Sequence, residues 1–265
     1  MNSTLQIGVS RGALEIRQFF REKDTVFFTF AFPILMLLLL GMSFRHTSPG
    51  GHISLAQVYS TALIGAGIMG VSFQNLGTAI CIERRNGTLK RLRGTPMPLA
   101  AYFVGKMLQV LVIAFGETAV LLLISALLFG VRLPHAAASW LTFAWVFCLG
   151  ITSSALLAIG AARLAVKGQN AIIVITMPFI VLEFISGVFI PFTQLPGWMS
   201  AVASAFPLAW MMEGFRSALL GSSGAVLERS GTYHLGLAAL VLVIWTLAGF
   251  MLCLRTFRWS DSRSQ

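Results

Sequence analysis

The chain of 265 residues is 57% hydrophobic and only 11% charged, against about 25% charged in an average soluble domain. That excludes a soluble globular fold, and the same hydrophobicity excludes a disordered chain. A net charge of +10 leaves either a nucleic-acid binder or a membrane protein whose cytoplasmic loops are rich in Lys and Arg, and the placement of the cations decides between them.

In chain order, residues 5–22 come first. Val9, Ala13, Ile16 and Phe20 fall on one helical face, with the charged residues mostly elsewhere. This predicts an amphipathic helix lying on the inner membrane surface. Asp24 and Thr25 favour helix N-caps and predict a break before the next element. The first apolar run, 25–44, has no small-residue cleavage site and reads as a retained anchor. Further runs at 56–80, 99–129, 140–162, 171–191 and 233–254 bring the expected spans to six. The third run is too long for one crossing and predicts a projection into the cytoplasm around Lys106. Residues 192–230 are too apolar for a plain loop and are broken by Pro196 and Pro207, with Pro191 just before them. Their segment 197–220 reads as an outer helical hairpin that dips back into the bilayer, with Glu213 and Arg216 pairing locally at i, i+3.

With the N-terminus inside, 15 of the 19 Lys and Arg residues fall on cytoplasmic pieces; Arg45, Arg132, Arg216 and Arg229 fall outside. That asymmetry predicts N-in, C-in and accounts for the basicity without nucleic acid. The expected fold class is an all-α integral membrane protein forming one transmembrane domain over 1–265. It has six transmembrane helices, an N-terminal interfacial helix and an outer re-entrant hairpin. Cys81, Cys148 and Cys253 have no CxxC spacing. His46, His52, His135 and His234 fall in outer loops or near a span end; His46 and His52 share one loop, yet no carboxylate or Cys accompanies them, so no metal site is expected. The sequence contains no G-x-x-x-x-G-K-[ST] phosphate loop, so a polypeptide that needs ATP must take it from a second subunit.

The segment 81–96, CIERRNGTLKRLRGTP, is the most informative loop. Asn86-Gly87 is a turn signal. Thr88 can cap a short helix, TLKRLRG, which Gly94 and Pro96 stop. A short cationic helix just inside the membrane suits a cytosolic partner; lipid-headgroup contact would need only the charge.

At this loop, ERRNGTLKRLRGTPMPLAAYFVGK resembles the cytoplasmic coupling loop of type-2 ABC exporter permeases, the drug-, antibiotic- and polysaccharide-exporter group that includes the daunorubicin-exporter permeases. Residues 14–41, with the internal Phe32-Pro33, resemble the family's connector helix and first span. Residues 186–210 resemble the end of its fifth span and its outer re-entrant helices, and 211–221 the continuation. The resemblance implies a permease subunit in a bacterial cytoplasmic membrane. It also implies a second permease copy, identical or related, and two cytosolic ATPase subunits that hold the ATP and Mg; no cofactor is expected on this chain. Carried over by position, Glu83, Arg84, Arg85, Gly87, Thr88, Leu89, Arg91, Leu92 and Pro96 would couple to the ATPase. Arg17, Phe20 and Arg21 would belong to the connector helix. Residues 192–220, with Pro191, Pro196, Pro207, Glu213 and Arg216, would form the outer gate. The loop is unusually basic from Lys90 to Arg93, which is a departure from the family pattern. Glu83→Ala is expected to leave membrane insertion intact and weaken transport.

Glu117 and Glu183 lie inside spans, where a carboxylate costs about 2.5–3.5 kcal/mol, so both are candidate functional residues. Substrate contact, a structural hydrogen bond and proton coupling are all open roles. In the second span, Ser72, Gln74 and Asn75 follow the small residues Ala62, Ala66 and Gly70, a pattern that allows close helix packing or lines a path. Two function classes therefore stand: an ABC exporter permease for a hydrophobic or amphipathic molecule, with a polysaccharide or haem as alternative cargo, and a gradient-driven carrier with no ATPase.

Overall fold

A computed structural model describes residues 2–45, 47–48, 53–131, 133–164, 171–190, 194–228 and 231–256. Helices satisfy their own backbone hydrogen bonds, which a bilayer demands, and every regular element among these residues is helical. Five helical stretches are long and apolar enough to cross a membrane: Lys23–Ser43, Leu55–Arg85, Leu99–Phe129, Ala137–Ala162 and Leu235–Cys253.

Helix α1 (Asn2–Arg21) ends one residue before α2 (Lys23–Ser43). The break falls at Glu22, whose φ of −84° and ψ of 80° leave the helical region, and not at Asp24 or Thr25, which are already helical. The predicted apolar face of α1 is not the face that meets the protein. Gly8, Gly12, Glu15 and Phe19 are buried, while Val9 and Phe20 are about half exposed. Small residues decide this. A Cβ on Gly12 would sit 2.7 Å from Leu108, and one on Gly105 would sit 2.9 Å from Arg11. The glycines let α1 lie against α6 (Leu99–Phe129) nearly backbone to backbone, and the Val9–Phe20 side is left exposed.

The longest buried rod begins at α3 (Leu55–Met69), capped by reciprocal Ser54 and Gln57 bonds. It passes through a π-helical segment, Gly70–Asn75, and continues as α4 (Leu76–Arg85). Helix thus persists through Glu83, Arg84 and Arg85, which the sequence placed in a loop; Asn86-Gly87 is the first true break. Gly87 has φ +70° and itself precedes α5 (Thr88–Arg93), so Thr88 is the first helical residue and not the cap.

Helix α6 and α7 (Ala137–Leu164) flank the rod, and α8 (Ala171–Ile185) lies against α4 and α7. The run predicted to 191 stops at Ile185, because the chain turns at Ser186-Gly187, with Gly187 at φ +86°. Fifteen residues span only about 22 Å at 1.5 Å per residue. The predicted hairpin is two helices, α9 (Gly197–Ser204) and α10 (Pro207–Leu220), followed by a 3-10 turn at Gly221–Leu227. Helix α10 is core: Leu208, Met211, Met212 and Phe215 are fully buried against α3 and α7. Helix α11 (Leu235–Thr256) closes the outside of α7 and α10.

Candidate functional site

Three groups of polar side chains stand out from this apolar bundle. The first joins α1, α4 and α6. Lys106, expected at the cytoplasmic projection, has only 3% of its side chain exposed. A buried ammonium must be paired, and its Nζ donates to Glu15 Oε2 at 2.9 Å and Glu83 Oε1 at 2.5 Å. The Tyr102 hydroxyl donates to Glu83 Oε2 at 2.8 Å, and Arg11 pairs with Glu15 Oε1 at 2.5 Å. Two cations and two carboxylates therefore form a neutral node. Glu83 belongs to this node and points into the bundle. Arg84 also turns inward, donating to the Ala162 carbonyl at 3.2 Å.

Helix α5 hangs directly from that node. Leu89 is buried and Leu92 packs on the core, so they seat the helix. Arg85, Lys90, Arg91 and Pro96 face outward. Arg91 reaches back to the Asn86 carbonyl and the Thr88 hydroxyl at 3.3 and 3.4 Å, bracing the turn at Gly87. Arg17, Phe20 and Arg21 are exposed on α1. The residues expected to couple thus divide into an inward set, which fixes the loop, and an outward set, which is available to a partner.

The second group lines a cavity of about 510 Å³ between α2, α3, α6 and α8. Glu117 and Glu183 share it with Gln74, Asn75, Phe28, Phe32 and Phe179. Gly67 makes room for Glu117, whose Oε1 occupies the space a Cβ there would need. Glu117 Oε2 has no hydrogen-bond partner. Asn75 donates to the Thr29 hydroxyl at 3.2 Å. The π segment puts Gln74 and Asn75 on this wall by adding a residue to the turn. Ser72, singled out with them, is absent from the wall; it is fully buried and its hydroxyl donates to the Ile68 carbonyl at 2.6 Å.

The third group lies at the other end. Arg216 does not pair with Glu213. Its Nε donates to Glu228 Oε1 at 2.6 Å, and both side chains are buried. Glu213 accepts from the backbone N–H of His234, one residue before α11 begins. The Tyr233 hydroxyl donates to the Gly221 carbonyl at 3.0 Å. Pro196 and Pro207 open α9 and α10; Pro191 lies outside the described residues.

Reading from sequence missed Lys106, Glu15, Tyr102 and Glu228 as partners. The available signal was Lys106 itself: a cation within an apolar run needs a carboxylate, and Glu15 and Glu83 were among the few on offer.

A helical bundle with five membrane-length apolar helices and buried, paired charges is a multi-pass membrane protein. The profile of the ABC-2 type transporter family matches residues 12–220, so the chain belongs to that family and is a permease component of an ABC transporter. Family membership implies association with an ABC ATPase subunit. No curated protein matches the sequence.

Proposed function

We propose that the chain is the membrane half of an ATP-driven exporter. It works with a second permease copy and two ATPase subunits in a bacterial cytoplasmic membrane. In this reading the chain has six spans, with α8 as the fifth, both termini inside, and α9–α10 as an outer re-entrant hairpin. The ATPases dock on Arg85, Lys90, Arg91 and Pro96 and on the exposed side of α1. Their closure on ATP moves α5, and the Lys106 node passes that movement to α1, α4 and α6 together, shifting the pathway between two states. The cargo is a hydrophobic or amphipathic small molecule, held in the cavity of about 510 Å³, within the 300–1,000 Å³ usual for such ligands.

The observation that supports this most is the division within 83–96. Its inward residues bind it to the bundle while Arg85, Lys90, Arg91 and Pro96 are exposed at its surface. One observation favours the gradient-driven carrier instead, namely the two carboxylates sharing a cavity; membership of the ABC-2 family weighs against it. Cross-linking in native membranes tests the docking. With the three native cysteines replaced, a reagent on Lys90→Cys is expected to capture a cytosolic ATPase. Capture of lipid alone would reject the docking face.

A further inference from the structure

Glu117 and Glu183 stand 3% and 8% exposed, and among the described residues neither has a hydrogen bond or an ion pair. They differ in this from Glu15, Glu83, Glu213 and Glu228, each of which is held by a named donor. Both face the same cavity, as does Asp24 at the start of α2. Among the described residues no Lys, Arg or His lines it. Much of the remaining wall is apolar and aromatic, with Phe28, Phe32 and Phe179, while two carboxamides, Gln74 and Asn75, and two hydroxyls, Thr25 and Thr29, stand beside the acids.

Such a wall rejects an anion, because its charge would meet carboxylates in a medium that screens them little. A neutral apolar molecule would leave both acids unpaired. A compact, strongly hydrated cation would find oxygen ligands here but would leave the phenylalanines and the rest of the apolar wall without a partner. One chemistry meets every part of the wall: a single positive charge carried inside an apolar or aromatic body. The charge pairs with the acids, the body replaces water along the phenylalanines, and ring faces attract the cation. We propose that this cavity binds lipophilic monocations, of the quaternary ammonium or phosphonium kind, with Glu117 and Glu183 as the charge-recognising residues. The inference deepens the exporter reading, on which it depends for calling that ligand the cargo.

The cavity also adjoins a smaller one of about 170 Å³ that contains Glu15, Glu22, Glu83 and Lys106, the two sharing Thr25, Val71 and Asn75 as walls. The two cavities thus share a wall, while Glu117 itself lies eleven residues along α6 from Lys106, about 16 Å at 1.5 Å per residue.

The test is equilibrium binding of labelled tetraphenylphosphonium to the full chain, purified from native membranes with whatever accompanies it, in nanodiscs, with empty discs as the blank. Tetraphenylborate, of nearly the same shape and opposite charge, is the competitor. The wild type should bind the cation and ignore the anion. Glu117→Gln and Glu183→Gln should each weaken the cation by about tenfold or more, the range expected when one partner of a desolvated charge pair is removed. If tetraphenylborate competes as well as the unlabelled cation does, the inference is overturned on the wild type alone, whatever the variants do. Variants that elute and melt like the wild type and bind the cation equally well overturn it too. Failure of the exporter reading looks different: charge-selective binding persists, no ATPase accompanies the chain, and ATP drives no uptake of the cation into inside-out vesicles.

Discussion

Replacing Lys106 by Met removes the cation at the centre of the α1–α4–α6 node and keeps its apolar stem. Glu15 and Glu83 then face each other across the vacated site. Breaking a buried pair in this way costs about 3–5 kcal/mol. Two features reduce the loss: Glu83 keeps 17% of its side chain in solvent and its bond from Tyr102, and Glu15 keeps Arg11. A loss of about 3 kcal/mol from the free energy of opening is therefore expected. It should fall locally on α1, which the node and the glycine contacts hold to α6. Hydrogen exchange read by mass spectrometry measures it directly, and 3 kcal/mol corresponds to roughly a hundredfold faster exchange over 8–20. Adding Glu83→Gln to Lys106→Met restores neutrality and should recover at least about 1 kcal/mol, a coupling typical of directly contacting residues. Unchanged exchange in α1, or a double variant that exchanges faster than the single, would refute the node.

Arg216→Met should expose the same logic at the other end. It strands Glu228 in the bundle, lowers the melting temperature, and is rescued in part by Glu228→Gln, as thermal unfolding in detergent would report. Gly12→Leu should push α1 off α6, since a Cβ there already lies 2.7 Å from Leu108; a disulfide engineered between the two helices should then fail to form. Ser72→Ala should change stability by less than about 0.5 kcal/mol, since its hydroxyl only back-bonds to its own helix, and should leave cargo transport as it is, measured beside Asn75→Ala, which should not. In membrane vesicles, a cysteine at Lys90 should react with an impermeant thiol reagent only from the cytoplasmic face and one at His135 only from the outer face; the reverse labelling would overturn the proposed orientation.

The bundle's long helices were legible because a bilayer demands about 20 apolar residues per crossing, and 25–44, 99–129, 140–162 and 233–254 met that demand within a few residues. The turn at Asn86-Gly87 was legible from local chemistry. Other features depend on what a residue meets, which periodicity does not encode. The packing face of α1 is set by Gly8 and Gly12, whose small size matters only because Val104 and Leu108 come to them. The π segment at Gly70–Asn75 has no hydropathy signature, yet it decides that Gln74 and Asn75 line the cavity while Ser72 does not. Glu213 and Arg216 were paired by spacing, but the buried Glu228, beyond the 3-10 turn, offered Arg216 a better partner. Glu117 and Glu183 were found by composition alone, since carboxylates are rare in apolar runs. That they share one cavity follows from the packing of α6 and α8 around the π segment Gly70–Asn75.

In the proposed exporter, the outward residues of the 83–96 segment bind an ATPase while its inward residues hold the fold. Purification in mild detergent from native membranes tests it most directly, comparing the wild type with an Arg85→Glu, Lys90→Glu, Arg91→Glu variant. A stoichiometric cytosolic ATPase should accompany the wild type and none the variant, with both melting at the same temperature. A wild-type chain that purifies alone and moves cargo in proteoliposomes on a proton gradient without ATP would contradict it.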